Sequence, residues 1–534
     1  MIDILIKNVM VVDGTGAPAY RGSVGVVGDK IVHADGTEAA KTVIEGEGLY
    51  VSPGFIDAHS HGDLILGDEC ARLCKTSQGV TTEIGGQCGL SAAPVTPEHL
   101  ALVQGQLSVG ALAFPEDMQS WTNYRRYLHY ADAAPKTANI KSYVGHSTLR
   151  IAVMGFDNRE PTEQEMETMK GLLKEAMENG AAGFSTGLIY TPCCYATTDE
   201  IVELAKVIKP YGGIYASHMR NESYDSVKAV EETIEIGRRA GVPVFISHHK
   251  ILGKANWGLQ KQTLAVIQKA IDEGVQVTCD QYPYPRNMTH LNACVPPWHF
   301  TEGVAKMAER LESPAMREKI RREMEDPKSE YDNYYINAGG WEGVFVSSSP
   351  NTPGVVGKTV AEYAAELGQD PFETFFDIMV ENKGVSSAVY SSMCDEDVFE
   401  IAQFPHTVVG SDGLTRALDE KGHPRAYGTC PRAICYYHKE NGVMTLEEVI
   451  RKMTSMPAAR LGMPTKGVIK DGNDADLVVF NYEKLQDKAT YTHSNELSDG
   501  IEYVIVNGGI VYRDKKLTGV HSGRVLRHFS NGAQ

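Results

Sequence analysis

Short apolar runs, each ending on a polar and chemically capable residue, alternate with helix-like stretches through the middle of this chain. No other feature constrains its fold as much. The runs finish near His59, Cys88, His146, Thr186, His218, His248, Gln281 and Asp412. Between them lie helix-like segments such as 163–178, 198–208 and 226–240. Strands alternating with helices read as βα units and a parallel sheet. Eight such units predict an α/β fold of the (β/α)8 TIM-like barrel type, whose chemistry sits at the carboxyl ends of its strands. The candidate functional residues fall at those ends.

The two ends of the chain differ from the middle. Residues 4–6, 9–12, 23–27 and 30–32 are β-rich runs broken by Gly and Asp, and 475–480, 501–508 and 510–512 echo them. We expect one small β-sandwich domain built from both termini, 1–50 with 465–534, and a catalytic barrel over 51–464. The interval between Gln281 and Asp412 is too long for one βα loop, so residues 287–345, charged and helix-prone over 304–324, are expected to form an insertion over the barrel mouth. Such insertions can serve as lids.

Bulk properties narrow the function. A net charge of −18 with no long basic run disfavours nucleic acid and anionic membranes as partners. No stretch approaches the roughly 18 apolar residues of a membrane span, and the N-terminus reads as a strand, not a signal peptide. Ten cysteines without regular spacing point to reduced thiols and a cytoplasmic location. Cys193 and Cys194 are adjacent and are not expected to pair. A small molecule is the remaining class of partner; nothing in the sequence fixes an oligomeric state.

The chemistry lies in five places. His59 and His61 sit two residues apart on an extended chain, so their side chains share a side and can grip one metal ion. Cys88 follows in a glycine-rich turn at 85–89, and His218, His248 and Asp412 each follow an apolar run. Read singly, such a His is a structural hydrogen-bonding residue, such a Cys a small hydrophobe and Asp before Gly a turn former. At the ends of separate strands of one barrel they form a set of zinc-type ligands: four imidazoles, a thiolate and a carboxylate. Arg425 offers a planar fork for a carboxylate, and Lys250 shares a side of the chain with His248. His146 and His249 read as supporting residues.

These residues resemble the N-acyl-D-amino acid deacylases (D-aminoacylases) of the amidohydrolase superfamily, essentially end to end. The resemblance rests on 53–61, the Gly-x-Cys-Gly element at 86–89, 145–150, 187–190, 217–220, 247–250, 410–413 and 423–429. The His-x-His opening is shared across the superfamily; the Cys88 element and His423-Pro424-Arg425 are far more specific. The resemblance implies zinc-dependent hydrolysis of an N-acyl-D-amino acid to a carboxylate and a free D-amino acid. It implies one tight zinc on Cys88, His218 and His248, and a second, weaker position on His59, His61 and Asp412. Asp412 would be general base, then general acid. Lys250 and Arg425, with a tyrosine from 282–284, would hold the substrate carboxylate; Tyr282 is favoured and Tyr284 stays open. Tyr190 would lie near the scissile amide.

Two alternatives follow. A related amidohydrolase could act on a cyclic amide or imide, as hydantoinases do, or on a dipeptide. Relatives of that kind carry a carboxylated lysine on the fourth strand, and 182–187 here has none. A non-catalytic scaffold on the same barrel is the other, against which all six candidate ligands stand. The stretch 287–300 contains no Arg or Lys, and its Leu291, Cys294, Val295, Pro296 and Trp298 are apolar. If it lines the pocket, an apolar D-amino acid is favoured over D-glutamate or D-aspartate.

Overall fold

The computed structural model describes residues 1–107, 114–328, 330–414, 417–418 and 420–528. Residues 529–534 of the expected terminal domain lie outside this set. Eight strands form the barrel: Phe55–Asp57, Val80–Gly85, Asn139–Ser142 continued by Val144–Gly145, Gly183–Gly187, Ile214–His218, Val244–Ile246, Val277–Gln281 and Thr407–Val409. Neighbours pair in parallel and in chain order. The Ala182 N–H reaches Ser142 O at 2.8 Å across the third and fourth strands. The ring closes where the Ala58 N–H meets Val409 O at 3.4 Å and Ser60 bridges Gly413.

Parallel strands covered by helices must be apolar on both faces, and every residue of the second, fourth, fifth and seventh strands is buried. Ile56, Ile84, Ala182, Ala216 and Phe245 pack together in one cluster, while Ile140, Phe184 and Tyr215 belong to another with the surrounding helices. Helices Glu163–Glu178, Thr198–Ile208 and Ser226–Ala240 stand where the periodicity predicts them. Thr162 and Glu165 make a reciprocal capping box at the start of the first. Gly241, at φ 71°, stops the third in a conformation that glycine adopts without a steric cost.

A nine-stranded sheet takes its strands from both ends of the chain. Ile2–Val11 pairs with Tyr20–Val27, Ala40–Glu45 and Tyr50–Pro53, and Leu477–Phe480 pairs with Tyr50–Pro53. Two points differ from expectation. Residues 2–11 are one strand with an irregularity between Ile6 and Val9, where Asn8 takes φ 57°. Tyr50–Pro53 belongs to this sheet and crosses the expected boundary at 50. One face of the sheet buries Ile4, Ile6, Val24, Val26, Leu477 and Val479 among themselves; Val478 and Val504 pack with Phe55 and Val80 of the barrel.

The segment between the seventh and eighth strands is a substantial unit. Its antiparallel sheet joins Asn287–His290, Ser387–Tyr390 and Val344–Ser348. The helix-prone stretch is two helices, Val304–Arg310 and Pro314–Glu325, the second opening on a proline. The limits 287–345 fall short, because Ser387–Tyr390 is the central strand of this sheet. Among the described residues, no helix is long and apolar enough to cross a membrane.

Candidate metal centre and active site

The carboxyl ends of the first, second, sixth and eighth strands bring His59, Cys88, His248 and Asp412 together, with one ligand atom of each within 4.8 Å of all the others. The Cys88 Sγ stands 3.3 Å from both His59 Nε2 and His248 Nε2. Asp412 Oδ1 lies 3.5 Å from His59 Nε2 and 3.2 Å from His61 Nε2. His218, from the fifth strand, joins a second group with His248 and Glu222, and its ring is 4.3 Å from that of His248. His248 is common to both groups. The expected trio of Cys88, His218 and His248 is therefore divided between them, and His61 reaches the cluster through Asp412.

The local backbone explains how these side chains converge. Cys88, His248 and Asp412 take φ of 54°, 37° and 48°, a region that non-glycine residues seldom visit. Each lies just beyond a strand, where a left-handed turn redirects its side chain. Such strain gathers at functional sites and persists only when the surroundings enforce it. Asp57 is one such constraint: it accepts from the Ser411 N–H at 2.8 Å and from Lys75 Nζ at 2.7 Å, tying the first strand to the residue before Asp412.

Two carboxylates that sequence reasoning missed organise the imidazoles. Asp280 lies 3.2 Å from His59 Nδ1 and accepts the His248 backbone N–H at 2.7 Å. Glu222 lies 3.1 Å from His248 Nδ1 and 3.3 Å from His218 Nε2, and accepts from Lys250 Nζ at 2.6 Å. On His59, where Asp280 stands at Nδ1, the carboxylate fixes the tautomer that leaves Nε2 with its lone pair for a metal. Asp280 carried one signal in the sequence, being the single charged residue of the run 277–281. Glu222 carried only its position four residues after His218.

Charge and burial compete throughout. Burial would raise the Asp412 carboxyl, but the Arg425 guanidinium and the imidazoles of His248, His61 and His59 outweigh it and hold the group well below the usual carboxylate range. Glu222 behaves alike: burial opposes ionisation, and His218, Lys250 and His248 overcome it. Burial, with Asp412 nearby, pushes the Cys88 thiol well up. A metal cation at this sulfur would favour its thiolate form. Neither ring nitrogen of His218 makes a hydrogen bond of good geometry: Nε2 has the Glu222 carboxylate at 3.3 Å, and Nδ1 is buried unsatisfied, which ordinarily costs about 1–3 kcal/mol. A soft N, S and O donor set with an unsatisfied imidazole fits zinc.

The two expected substrate cations already have partners. Arg425 Nη1 is 2.9 Å from Asp412 Oδ2, and Nη2 donates to Met288 O at 3.2 Å, while its buried Nε has no hydrogen-bond partner. Lys250 is held by Glu222 and lies 2.7 Å from His248 Nδ1. Tyr282 stacks beneath both, 4.7 Å from the Arg425 guanidinium and 5.9 Å from Lys250 Nζ, whereas Tyr284 packs on Arg432. Of the two tyrosines, Tyr282 is the one packed against Arg425 and Lys250. The Tyr190 ring is 5.0 Å from His218 and its hydroxyl is 2.8 Å from Thr289 Oγ1. His146 and His249 do not enter either ligand group; His249 Nε2 meets Thr263 Oγ1 at 2.9 Å.

Beyond Tyr190 opens a cavity of about 260 Å³, walled by Leu188, Ile189, Val295, Trp298 and Tyr334 among others. From the apolar stretch singled out in the sequence, Val295 and Trp298 reach it; Leu291 and Cys294 are packed in the core of the inserted unit. One cation from outside that stretch, Arg220, also lines it. Arg220 is committed: Glu232 grips Nε and Nη2 at 3.0 Å, and Nη1 and Nη2 donate to Cys194 O and Ala196 O.

A closed eight-stranded barrel with imidazoles, a thiol and a carboxylate gathered at its strand ends defines a metal-dependent hydrolase of the amidohydrolase class. An amidohydrolase family model matches residues 42–512. A D-aminoacylase of Alcaligenes xylosoxydans is 36% identical over 526 residues, covering 98% of this chain and 97% of that protein. An N-acyl-D-aspartate deacylase of the same organism is 33% identical over 532 residues, covering 98% and 95%. The structure of an N-acyl-D-glutamate deacylase from Bordetella bronchiseptica, solved with zinc and a phosphonate that mimics the tetrahedral intermediate, superposes with a TM-score of 0.82 at 33% identity, covering 98% of this chain and 99% of that one. This chain belongs to the N-acyl-D-amino acid deacylase (D-aminoacylase) family of the amidohydrolases.

Proposed function

We propose that this protein is a zinc-dependent deacylase that hydrolyses N-acyl-D-amino acids to a carboxylate and a free D-amino acid. The observation that carries the reading is the donor set around Cys88, with Asp412 held ionised beside Arg425. Cys88, His218 and His248 are the residues that would hold the tight zinc, with His59, His61 and Asp412 offering a second position. A zinc bound there supplies Lewis acidity and a more acidic water.

The chain's own groups supply the rest. Asp412, an ionised carboxylate in a buried site, takes a proton from water and returns it to the departing amide nitrogen. His61, 3.2 Å from Oδ1, steadies that carboxylate. Arg425 receives the substrate carboxylate, with its unpartnered Nε as the donor left over from the Asp412 pair. Tyr282 supports the guanidinium from below, and Lys250 adds a second positive charge on the Glu222 side. Burial raises the Tyr190 hydroxyl well above its ordinary value, so it stays protonated and can donate to negative charge developing on the scissile oxygen.

The cavity beyond Tyr190 takes the substrate side chain in this reading. Its cation is spent on Glu232, and Glu330 and Asp332 also line it, so an apolar D-amino acid such as methionine, leucine or phenylalanine is preferred over an acidic one. Chirality rests on the relatives. The purified protein, supplied with zinc, should release free amino acid from N-acetyl-D-methionine and not from its L enantiomer. Preference for the L series would overturn the assignment.

A further inference from the structure

Away from the metal centre, one other cluster of reactive side chains is buried intact. The Cys193 Sγ lies 2.9 Å from His146 Nδ1, and the opposite ring nitrogen of His146 lies 2.9 Å from Glu200 Oε1. Arg150 Nε donates to the same Glu200 oxygen at 3.1 Å. All four side chains are buried. Thiol, imidazole and carboxylate thus stand in the series used by cysteine hydrolases, yet the sulfur is wholly buried and does not line the cavity beyond Tyr190. Its contacts point to a different task.

The loop 188–195 follows the fourth strand and supplies Leu188, Ile189, Tyr190, Thr191 and Cys194 to the cavity wall. Cys193 Sγ accepts the Gly187 N–H at 3.3 Å, so one sulfur joins the two ends of this loop. Arg150 Nη1 donates to Pro192 O at 3.1 Å, and the Cys194 N–H returns to Tyr190 O at 2.8 Å. Cys193 and Cys194 remain two thiols. We propose that Cys193, held by His146 and Glu200, is a positioning residue that fixes the Tyr190 loop against His218 and sets the cavity wall. Charge favours the arrangement. Burial lowers the His146 imidazole, but Cys193 and Glu200 more than restore it, to about 9, and burial of the Cys193 thiol is in turn outweighed by His146, which draws it below its ordinary value. A thiol drawn down in this way accepts the Gly187 N–H the more readily.

The role of Tyr190 rests on the deacylase reading, and the test separates the two. Cys193→Ala, Tyr190→Ala and the double variant are assayed for kcat and KM on N-acetyl-D-methionine, for zinc content, and for amide hydrogen exchange over 188–195 without substrate. Cys193→Ala should keep its zinc, exchange faster over 188–195, and lose about 10-fold to 100-fold in kcat/KM, the scale of a small misplacement near a reacting centre. In the Tyr190→Ala background that loss should shrink or vanish, because contacts that act through one another are not additive. Should Cys193→Ala fail to fold, Cys193→Ser carries the same measurements with a smaller expected loss. Unchanged exchange over 188–195, or equal losses in both backgrounds, would overturn the proposal. A wild type inactive on every N-acyl-D-amino acid would overturn the deacylase reading instead, and the exchange result would still judge the clamp.

Discussion

Glu222→Gln is the most exposing perturbation of this centre, because one carboxylate there serves three groups. Glu222 pairs with Lys250 at 2.6 Å, with side-chain exposures of 0% and 3%, and lies 3.1 Å from His248 Nδ1 and 3.3 Å from His218 Nε2. Glutamine keeps the shape and removes the charge. Breaking a buried ion pair from one side leaves the other ion uncompensated, at a cost of about 3–5 kcal/mol. Lys250 can recover part of this through its bond to the His248 carbonyl at 3.1 Å. We therefore expect the metal-free protein to lose about 3 kcal/mol, read as a lower urea midpoint at constant slope. Removing a carboxylate that orients metal-binding imidazoles typically costs about 10-fold to 100-fold in metal affinity, so a chelator competition should show zinc held that much more weakly.

The pH dependence has a definite sign. The Glu222 carboxyl is depressed in the folded protein. Its contribution is fully present above the unfolded value, about 4.3 for a glutamate, and is lost as pH falls through the folded value. Wild type and Glu222→Gln should accordingly differ by a constant amount in the neutral range, with the gap narrowing only in acid. A variant with an unchanged urea midpoint and unchanged zinc affinity would refute the reasoning, since Glu222 would then be neither compensating Lys250 nor orienting the imidazoles.

Asp412→Asn should lower turnover by about 10²-fold to 10⁴-fold, the usual scale for general acid–base help, while zinc measured by atomic absorption stays bound. Cys88→Ala should instead lose the metal, since removing one of three ligands leaves a weak site; retention of stoichiometric zinc would contradict that ligand set. In a panel of N-acetyl-D-amino acids, kcat/KM should be higher for methionine, leucine and phenylalanine than for glutamate and aspartate, and a win for the acidic pair would show that Arg220 is not neutralised by Glu232.

Much of the barrel was legible because its strands are short, wholly buried and each is followed by a polar or metal-ligating residue. Periodicity placed Glu163–Glu178, Thr198–Ile208 and Ser226–Ala240 for the same reason: an apolar stripe with a capping signal is a local property. What was not legible depends on closure. The limits of the inserted unit could not be read, because Asn287–His290 finds its partner in Ser387–Tyr390, across helices that carry no sign of it. Glu222 and Asp280 become part of the site only when the fifth, sixth and seventh strands lie side by side. The pairing of Arg425 with Asp412 was hidden likewise: an arginine after His-Pro looks free in a sequence, and only the fold shows a buried carboxylate waiting at 2.9 Å.

The backbone at Asp412 decides which substitution can isolate its chemistry. Asp412 stands at φ 48°, and its N–H is committed to His59 O at 2.8 Å, so the chain cannot relax there without disturbing a neighbouring ligand. Alanine disfavours that conformation, and Asp412→Ala would mix backbone strain, a lost partner for Arg425 and lost proton transfer in one number. Asparagine tolerates the left-handed region and keeps the shape of the side chain with one oxygen for either His61 or Arg425, while the negative charge and the capacity to accept a proton are lost together. Cys88 and His248 offer no such replacement. Both sit at positive φ and contribute soft or imidazole donors that asparagine does not reproduce. If strain alone set the activity, a glycine at 412 would outperform asparagine; if proton transfer sets it, both fall together, and the asparagine variant stays the more stable because its amide still fills the pocket between His61 and Arg425.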